Sequence, residues 1–246
     1  MEKMDQLWPD GYRFLFDDTL FQPCTDSFLL GSFPHLKRGE KVCDLGAGTG
    51  LLGLLLLGLL LLAREPSMHI TNVEIQETAC NLAQRNAALN SLEDSITCLH
   101  ADLRDISALP PAGSFDLVIS NPPYFSVGHG LRAESDARET ARADSSCDLD
   151  DLFATAARLL RWGGRFALCF RTERMAELME TARRHKLEPK RLRMVQNRAT
   201  SAPSLLLLEC RRGGGTGMTV EAPLLLTNPD GSPSAELDAI YFRDKR

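Results

Sequence analysis

The sequence has no paired cysteines and no excess of positive charge, and each absence excludes a class of protein. Its seven cysteines are scattered without a Cys-x-x-Cys pair, so the ligand spacing of a zinc site is missing and we expect no metal. An odd, scattered set is typical of reduced thiols, and we therefore expect a cytoplasmic location. The formal net charge of -5 argues against a cationic coat for nucleic acid, although a local basic face remains compatible with it.

The sequence also lacks the features of export and membrane insertion. Residues Met1–Asp5 show neither the basic nor the apolar region of a signal peptide. One uncharged stretch, Leu45–Ala63, is long enough to pass a hydropathy test for a membrane helix. Within it only Leu51–Leu62 is apolar apart from two glycines, and it closely follows a strand-like segment. We therefore predict a helix buried against a sheet, and no membrane partner.

What the sequence does contain is a repeated alternation of apolar strands and helices. Apolar residues make up 43% and charged residues 25% of the chain, which is ordinary for a globular protein. The alternation predicts an α/β fold with a mostly parallel sheet and helices on both faces. We expect one domain over residues 40–246, preceded by a short N-terminal extension, residues 1–39. The first predicted strand ends near Cys43. The others span His69–Glu74, Ile96–Leu99, Phe115–Ser120, Arg165–Phe170 and Leu205–Glu209.

The helices and the N-terminal segment complete this prediction. The aromatic-rich residues 1–21 favour a strand or hairpin that holds the N-terminus on the core. A first helix is expected to begin with Thr25 or Asp26 as its N-cap and to end at Phe33-Pro34. The further predicted helices are Thr78–Asn90, Leu149–Leu160 with Gly163-Gly164 ending it, and Glu173–His185.

The stretch Lys41–Gly50, Lys-Val-Cys-Asp-Leu-Gly-Ala-Gly-Thr-Gly, is typical of a cofactor-binding turn between a buried strand and a helix. Glycines at alternate positions let the backbone approach a ligand that a Cβ would keep away. The N–H groups at the helix start would offer donors to an electronegative group. The candidate cofactor residues of this turn are Asp44, Gly46, Gly48 and Gly50.

Two acids follow the next strands of the predicted sheet. Glu74 ends a strand at the place where nucleotide-binding α/β folds use a carboxylate to accept both ribose hydroxyls. Its alternative is an exposed acid at a strand end. Asp102 follows the third strand, and two interpretations of it stay open. It accepts from the exocyclic amine of a bound adenine, or it caps the next turn.

A second motif, Asn121-Pro122-Pro123-Tyr124, directly follows the fourth apolar strand. The side-chain oxygen of Asn121 and the carbonyl of Pro122 are suited to accept both hydrogens of a planar amine or amide, whose nitrogen attacks poorly by itself. Prolines stiffen such a loop, and Tyr124 offers a flat face on which a planar base can stack. Because ligands of open α/β sheets bind at the carboxyl ends of the strands, both motifs should share one crevice.

Two further segments allow more than one interpretation. Residues Ser126–Cys147 are polar and charged, and either a lid or simple disorder fits them. The segment Arg183–Arg198 clusters positive charge, which suits contact with phosphates and also suits a solvated helix end and strand edge.

Taken together, Asp44-x-Gly46-x-Gly48-x-Gly50, Glu74 and Asn121-Pro122-Pro123-Tyr124 resemble the class I S-adenosylmethionine-dependent methyltransferases that modify planar amino nitrogens. The resemblance implies a Rossmann-like, mostly parallel seven-stranded sheet over residues 40–246. It also implies S-adenosylmethionine as cofactor and direct methyl transfer. Carried over by position, the expected cofactor-binding residues are Asp44, Gly46, Gly48, Gly50, Glu74 and Asp102. The expected catalytic residues are Asn121, Pro122, Pro123 and Tyr124.

Within that group, the segment Gln22–Gly31 and the tail from Glu221 to Gly231 resemble the bacterial tRNA (valine-accepting) adenine-N6 methyltransferases. This resemblance implies a tRNA partner and methylation of the exocyclic amine of adenine at position 37, with Arg183–Arg198 as a candidate tRNA contact. The low basic content departs from what a tRNA-binding protein should show.

Four alternative functions fit parts of the same sequence. The same Asn-Pro-Pro-Tyr motif activates a protein glutamine in release-factor methyltransferases, although those carry a separate N-terminal helical domain. An adenine in another nucleic acid is a second possible acceptor. Finally, Gly48-x-Gly50-x-x-Gly53 followed by Glu74 also satisfies the dinucleotide fingerprint of an NAD-dependent oxidoreductase. A binding module that keeps the cofactor fold without turnover is disfavoured by the intact motif.

Overall fold

A computed structural model describes residues 1–8, 10–20, 23–62, 68–122 and 148–243, with the side chains of residues 59–62 left aside. The strands are β1 (Glu2–Gln6), β2 (Arg13–Asp17), β3 (Lys41–Leu45), β4 (His69–Glu74), β5 (Ile96–His100), β6 (Phe115–Ser120), β7 (Leu160–Arg171), β8 (Leu187–Gln196), β9 (Leu205–Arg212), β10 (Thr219–Val220) and β11 (Leu224–Leu225). The helices are α1 (Thr25–Ser32), α2 (Leu51–Leu62), α3 (Glu77–Leu89), α4 (Leu149–Leu159), α5 (Met175–Arg184) and α6 (Ala235–Ile240), and a short 3₁₀ helix (Thr172–Arg174) precedes α5.

One mostly parallel sheet organises the described residues. Its strand order is β10-β8-β9-β7-β6-β3-β4-β5, and β11 also pairs with β8. The chain runs outward from β3 through β4 to β5, then returns to β6 on the other side of β3. Strand β9 is antiparallel to both of its neighbours, β7 and β8. The seven strands β3 to β9 confirm the predicted fold class, and two-residue strands β10 and β11 extend the sheet along β8.

Alternate residues of the central strands feed two hydrophobic cores on opposite faces of the sheet. On β6, Leu117 and Ile119 join one core, whereas Val118 joins the other. The first core packs against α1 and α2, and the second against α4 and α5. This two-sided burial explains why the central strands are apolar at nearly every position.

The leucine-rich helix is a buried element of the first core. Leu54 and Leu56 of α2 are almost completely buried. Gly58 packs directly against the indole of Trp8, and a Cβ added at this position would lie 2.2 Å from the ring. Among the helices that the structure describes, none is both long and apolar enough to span a bilayer.

The N-terminal residues form the predicted hairpin, β1 antiparallel to β2. Two asparagine side chains, Asn86 of α3 and Asn90 at its C-cap, bind the second strand as a neighbouring strand would. The Asn86 amide donates to the carbonyl of Leu15 at 2.9 Å and accepts from its N–H at 2.7 Å. Asn90 makes the same pair of bonds to Arg13, at 2.7 and 2.8 Å. The hairpin is thereby fixed to the sheet-covering helix.

Several predicted boundaries differ from the structure. Helix α1 begins at Thr25 with Cys24 as its N-cap, and Cys24 makes no side-chain capping bond. Helix α4 ends at Leu159, so the prediction that Gly163-Gly164 ends it is wrong. Those glycines lie within β7, opposite an irregular register between Phe115 and Leu117. The predicted helix Glu173–His185 is a 3₁₀ turn followed by α5.

Candidate functional site

The candidate site lies at the carboxyl edge of four adjacent parallel strands, β6-β3-β4-β5. The glycine turn follows β3, Glu74 ends β4, Asp102 follows β5, and Asn121 follows β6. The Ser120 hydroxyl donates to the Leu45 carbonyl at 2.7 Å and joins the ends of β6 and β3. The topology therefore places the glycine turn and Asn121 at one edge of the sheet, and the expectation that the two complete motifs share one crevice stays a prediction.

The glycine turn is open where a ligand would lie. Gly46, Gly48 and Gly50 have φ of 73°, 54° and 81°, in the left-handed region that glycine adopts without strain. A Cβ on Gly46 or Gly48 would meet nothing within 4 Å, so these positions border open space. A Cβ on Gly50 would instead lie 3.1 Å from both Ala83 and Asn72. The first two glycines therefore leave room above the turn, and the third allows it to pack on the core.

Most N–H groups of the turn are used within the chain, which differs from a turn that offers them to a ligand. The N–H groups of Gly46 and Ala47 donate to the carbonyl of Val73, at 2.9 and 3.1 Å. The N–H of Gly48 donates to Glu74 Oε2 at 2.8 Å. The end of β4 therefore holds the turn in shape. A ligand above the turn would meet open space there and not these three N–H donors.

Asp44 is a buried carboxylate at the start of the turn. Its side chain is fully buried, and neither oxygen has a hydrogen-bond partner among the described residues. Burial, reinforced by the nearby charge of Glu74, raises the pKa of the Asp44 carboxyl well above its ordinary value. Asn72, paired with Asp44 in the sheet, has a buried side-chain oxygen in the same condition. These acceptors of two paired strand residues therefore have no donor among the described residues, and a donor or a cation of a bound ligand would satisfy them.

Glu74 is a buried strand-end acid that holds the turn. Its Oε2 accepts from the N–H of Gly48 and its Oε1 from the N–H of Gln76, both at 2.8 Å. Burial raises the pKa of Glu74, while hydrogen bonds from Gln76, Gly48 and Ile75 partly oppose the rise. Each carboxylate oxygen has two lone pairs, so the group keeps acceptor capacity for hydroxyls.

Asp102 caps a turn and binds a neighbouring arginine. Its Oδ1 accepts from the N–H of Arg104 at 2.9 Å, and its carboxylate pairs with that guanidinium. The side-chain hydrogen bond from Arg104 is the main cause that lowers the pKa of Asp102. The structure thus displays the turn-capping interpretation, and the role in adenine binding stays a prediction.

Asn121 is enclosed by side chains from two distant elements. Its Nδ2 donates to Ser27 Oγ at 3.0 Å and lies 3.7 Å from Cys24 Sγ, both at the start of α1. Its Oδ1 accepts from Cys169 Sγ of β7 at 2.9 Å. Pro122 is buried beside it. The other two candidate catalytic residues, Pro123 and Tyr124, and the segment Ser126–Cys147 lie outside the described residues.

The basic segment does not form one face. Because β8 is parallel to β7, Arg183 and Lys186 lie at the edge of the sheet opposite the site, and Arg198 lies near the site edge. Arg191 pairs with Glu209 and Glu221, and Arg193 pairs with Glu236. Arg198 is exposed and makes no ion pair within the part of the chain described.

Sequence reasoning missed several polar residues that complete the site. Asn86, besides holding the hairpin, donates to the carbonyl of Thr49 at 3.0 Å and supports the turn. Its signal was a polar residue on the apolar face of α3. Asn72 stood out only as an amide inside an apolar strand. Ser27 and Cys169 gave no local signal, because their connection to Asn121 spans 94 and 48 residues.

The site fits S-adenosylmethionine on its own geometry. The cofactor carries a cationic sulfonium and ammonium, which suit the unpaired carboxylate of Asp44. Its ribose hydroxyls suit the remaining lone pairs of Glu74, and the positions of Gly46 and Gly48 border open space in which no atom lies within 4 Å of an added Cβ. Together with the strand order, these features define a class I S-adenosylmethionine-dependent methyltransferase.

Comparison with known protein families agrees with this assignment to the methyltransferases. The model of the methyltransferase small domain matches residues 24–183, and the chain belongs to this family. The matched residues also include α1 of the N-terminal extension. The alternative of an NAD-dependent oxidoreductase is wrong, since the matched family consists of methyltransferases.

Curated relatives cover most of the chain. A tRNA1(Val) (adenine(37)-N6)-methyltransferase of Tolumonas auensis is 32% identical over 223 residues, 89% of this chain and 89% of its own length. The protein of that name from Aeromonas hydrophila is 30% identical over 211 residues, 85% and 84% of the two chains.

Solved structures show the same fold. Protein Atu636 of Agrobacterium tumefaciens, described as a predicted O-methyltransferase, has a TM-score of 0.68 at 22% identity, covering 88% of this chain and 95% of that one. The T. thermophilus 16S rRNA N2 G1207 methyltransferase RsmC, solved with AdoMet and guanosine, has a TM-score of 0.58 at 22% identity. That alignment covers 86% of this chain and 50% of RsmC.

Proposed function

We propose that the protein methylates the exocyclic N6 amine of an adenine in tRNA, and specifically adenine 37 of a valine tRNA. The observation that carries the chemistry is the amide of Asn121, which lies at the same sheet edge as the open glycine turn. The identity of the methyl acceptor is taken from the relatives, whose names specify this nucleotide. Those relatives align with this chain over most of their length.

The cofactor-binding residues in this proposal are Asp44, Gly46, Gly48, Gly50, Glu74 and Asp102. Asp44 and Glu74 complement the positive charge and the hydroxyls, and the glycines provide the space. Asp102, fixed by Arg104, takes the exocyclic amine of the cofactor's adenine through its remaining lone pairs. When bound, S-adenosylmethionine supplies an electrophilic methyl group on a sulfonium.

The substrate amine is activated by acceptors rather than by a base. Asn121 Oδ1 and the Pro122 carbonyl each take one N–H hydrogen, which draws electron density onto the nitrogen as it becomes tetrahedral. Pro123 holds the loop and Tyr124 stacks on the adenine, which has left its neighbours in the anticodon loop. Transfer yields a cationic amine that readily loses its proton to water, so the reaction needs neither a charged base nor a covalent enzyme intermediate.

Contacts with the rest of the tRNA are proposed at the site edge. Of the basic segment Arg183–Arg198, Arg198 is exposed on that edge, whereas Arg191 and Arg193 are engaged in ion pairs. We therefore assign phosphate contact to the Arg198 end. A cytoplasmic location and the division into an extension, residues 1–39, and a methyltransferase domain, residues 40–246, complete the proposal.

The decisive experiment is transfer of a tritiated methyl group to total tRNA from a strain that lacks this protein, followed by nucleoside analysis. The expected product is N6-methyladenosine in valine tRNA. Label in a glutamine of a protein, or in another nucleic acid only, would replace this acceptor with one of the two alternatives.

A further inference from the structure

The amide of Asn121 is held on both sides by residues that the proposed mechanism does not use. On the nitrogen side lie Ser27 Oγ at 3.0 Å and Cys24 Sγ at 3.7 Å. On the oxygen side, Cys169 Sγ donates at 2.9 Å. Ser27 and Cys169 are both buried, at 4% and 0% exposure, so water competes little for these contacts.

This arrangement has a consequence for which end of the amide a substrate meets. An amide nitrogen carries two hydrogens, and Ser27 and Cys24 are two acceptors for them. The oxygen has two lone pairs, of which Cys169 occupies one. A rotated amide would present N–H groups to the substrate amine, which needs acceptors. In the orientation that the structure describes, Nδ2 is directed at Ser27 and Cys24, which leaves a lone pair of Oδ1, and no spare donor, for the substrate.

The support for Ser27 comes from the other end of the chain. The Tyr241 hydroxyl donates to Thr25 Oγ1 at 2.9 Å, and its ring stacks on Phe28 with centroids 4.4 Å apart. On the inner side of α1, a Cβ added to Gly31 would lie 3.2 Å from Leu55 of α2, so the two helices pack closely. Helix α1 is thus held between the core and the C-terminal residues, and it presents Ser27 at a fixed place.

We propose that Ser27, assisted by Cys24, is a positioning residue that orients the Asn121 amide with its oxygen toward the substrate amine. The inference rests on the proposed role of Asn121 as amine acceptor. It assigns to the start of α1 a role in the reaction, exerted through Asn121, that the sequence resemblance of Gln22–Gly31 did not specify.

The test compares Ser27→Ala with Ser32→Ala, a matched removal of a hydroxyl at the far end of the same helix, where the Ser32 hydroxyl donates to the Leu29 carbonyl at 2.8 Å. Ser27→Ala is expected to lower kcat about 10-fold to 100-fold, since misplacing a catalytic group costs that much. KM and S-adenosylhomocysteine affinity should stay within about twofold on the same reasoning. Ser32→Ala should leave kcat unchanged, and Ser27→Thr, which keeps the hydroxyl, should restore most of the loss.

A second background separates orientation from general damage. In Asn121→Asp both polar side-chain atoms are oxygens, so either orientation of the carboxylate presents an acceptor to the substrate. Adding Ser27→Ala to this variant should therefore change its single-turnover rate less than about threefold. An equal loss in both backgrounds, or unchanged kcat in Ser27→Ala, would overturn the inference.

A readout without turnover keeps the inference independent of the proposed acceptor. The side-chain ¹H–¹⁵N signals of Asn121 should move upfield and exchange faster with water in Ser27→Ala and, to a smaller extent, in Cys24→Ala. Unchanged signals would refute the positioning role even if methyl transfer is observed. Shifted signals without methylation of tRNA would instead refute the proposed acceptor.

Discussion

Glu74 Oε2 accepts a 2.8 Å hydrogen bond from the N–H of Gly48, and this bond joins the end of β4 to the turn that follows β3. The second oxygen of Glu74 accepts from Gln76, so one buried carboxylate fixes the turn and the start of α3 together. The shape of the cofactor cradle therefore depends on an acid that is itself expected to contact the cofactor.

Replacing Glu74 with Gln should weaken cofactor binding through this bond. A glutamine amide must turn its NH₂ toward one of the two N–H donors, which leaves a buried donor unpaired at about 1–3 kcal/mol. We expect S-adenosylhomocysteine affinity to fall roughly 10-fold or more by the same measure. Isothermal titration calorimetry measures it, with Glu77→Gln, an exposed acid nearby on α3, as control. Equal affinities in the two variants would contradict this role.

Asp44→Asn should stabilise the cofactor-free protein as pH rises. A raised pKa means that folding opposes ionisation of Asp44, so this group destabilises the fold above its ordinary pKa of 3.8 and has no such effect well below it. The free energy of unfolding of Asp44→Asn should therefore exceed that of the wild type above about pH 5, growing by up to ~1.4 kcal/mol per pH unit until the raised pKa is reached. Cofactor affinity should fall in the same variant.

Asp17 provides a control in which the pH dependence of the free energy of unfolding has the opposite sign. Hydrogen bonds from the hydroxyl and N–H of Thr19 lower the pKa of Asp17 to about 2. Asp17 therefore contributes stability at neutral pH that disappears as pH falls toward 2. Urea unfolding across pH 3 to 8 compares the two variants, and Asp17→Asn should be the less stable protein at neutral pH. Parallel profiles for Asp44→Asn and the wild type would contradict the assigned burial of Asp44.

Asn121→Ala should abolish methyl transfer while leaving cofactor affinity nearly unchanged. The amide acts on the substrate amine, and loss of one preorganised polar group of this kind costs about 10²–10³ in kcat. A radiolabelled methyl assay and calorimetry with S-adenosylhomocysteine measure the two effects separately. Wild-type activity in the variant would remove Asn121 from the reaction.

Arg198→Ala should weaken tRNA binding and reduce its salt slope by about one, as expected for loss of one phosphate contact. Arg193→Ala serves as the comparison, because Arg193 is paired with Glu236 and its loss should act on stability instead. Filter binding of valine tRNA at several salt concentrations gives the slopes. An unchanged slope for Arg198→Ala would take this end of the segment out of the interface.

The elements that sequence predicted well are those with local signals. The apolar strands, the leucine-rich helix and the glycine turn each lie within a dozen residues, and their patterns are sufficient to place them. The boundary of α4 failed for a local reason as well. Gly163, with φ of 77°, marks an irregularity inside a long strand rather than the end of a helix.

The parts that sequence could not provide depend on distant partners. Arg191 and Arg193 belong to a basic cluster in the sequence, residues 183–198. Their acidic partners lie later in the chain, at Glu209, Glu221 and Glu236, and the ion pairs with them mean that this cluster does not form an exposed basic face. In the sequence Ser27 is an ordinary residue of a predicted helix, and its contact with Asn121 is visible only in the fold.

The bond from Tyr241 to Thr25 spans 216 residues and fixes an order of events during synthesis. The glycine turn and Asn121 are translated long before Tyr241, so a nascent chain carries both motifs while α1 still lacks its outer support. The support that Tyr241 gives to α1 is therefore available only after residue 241 has left the ribosome.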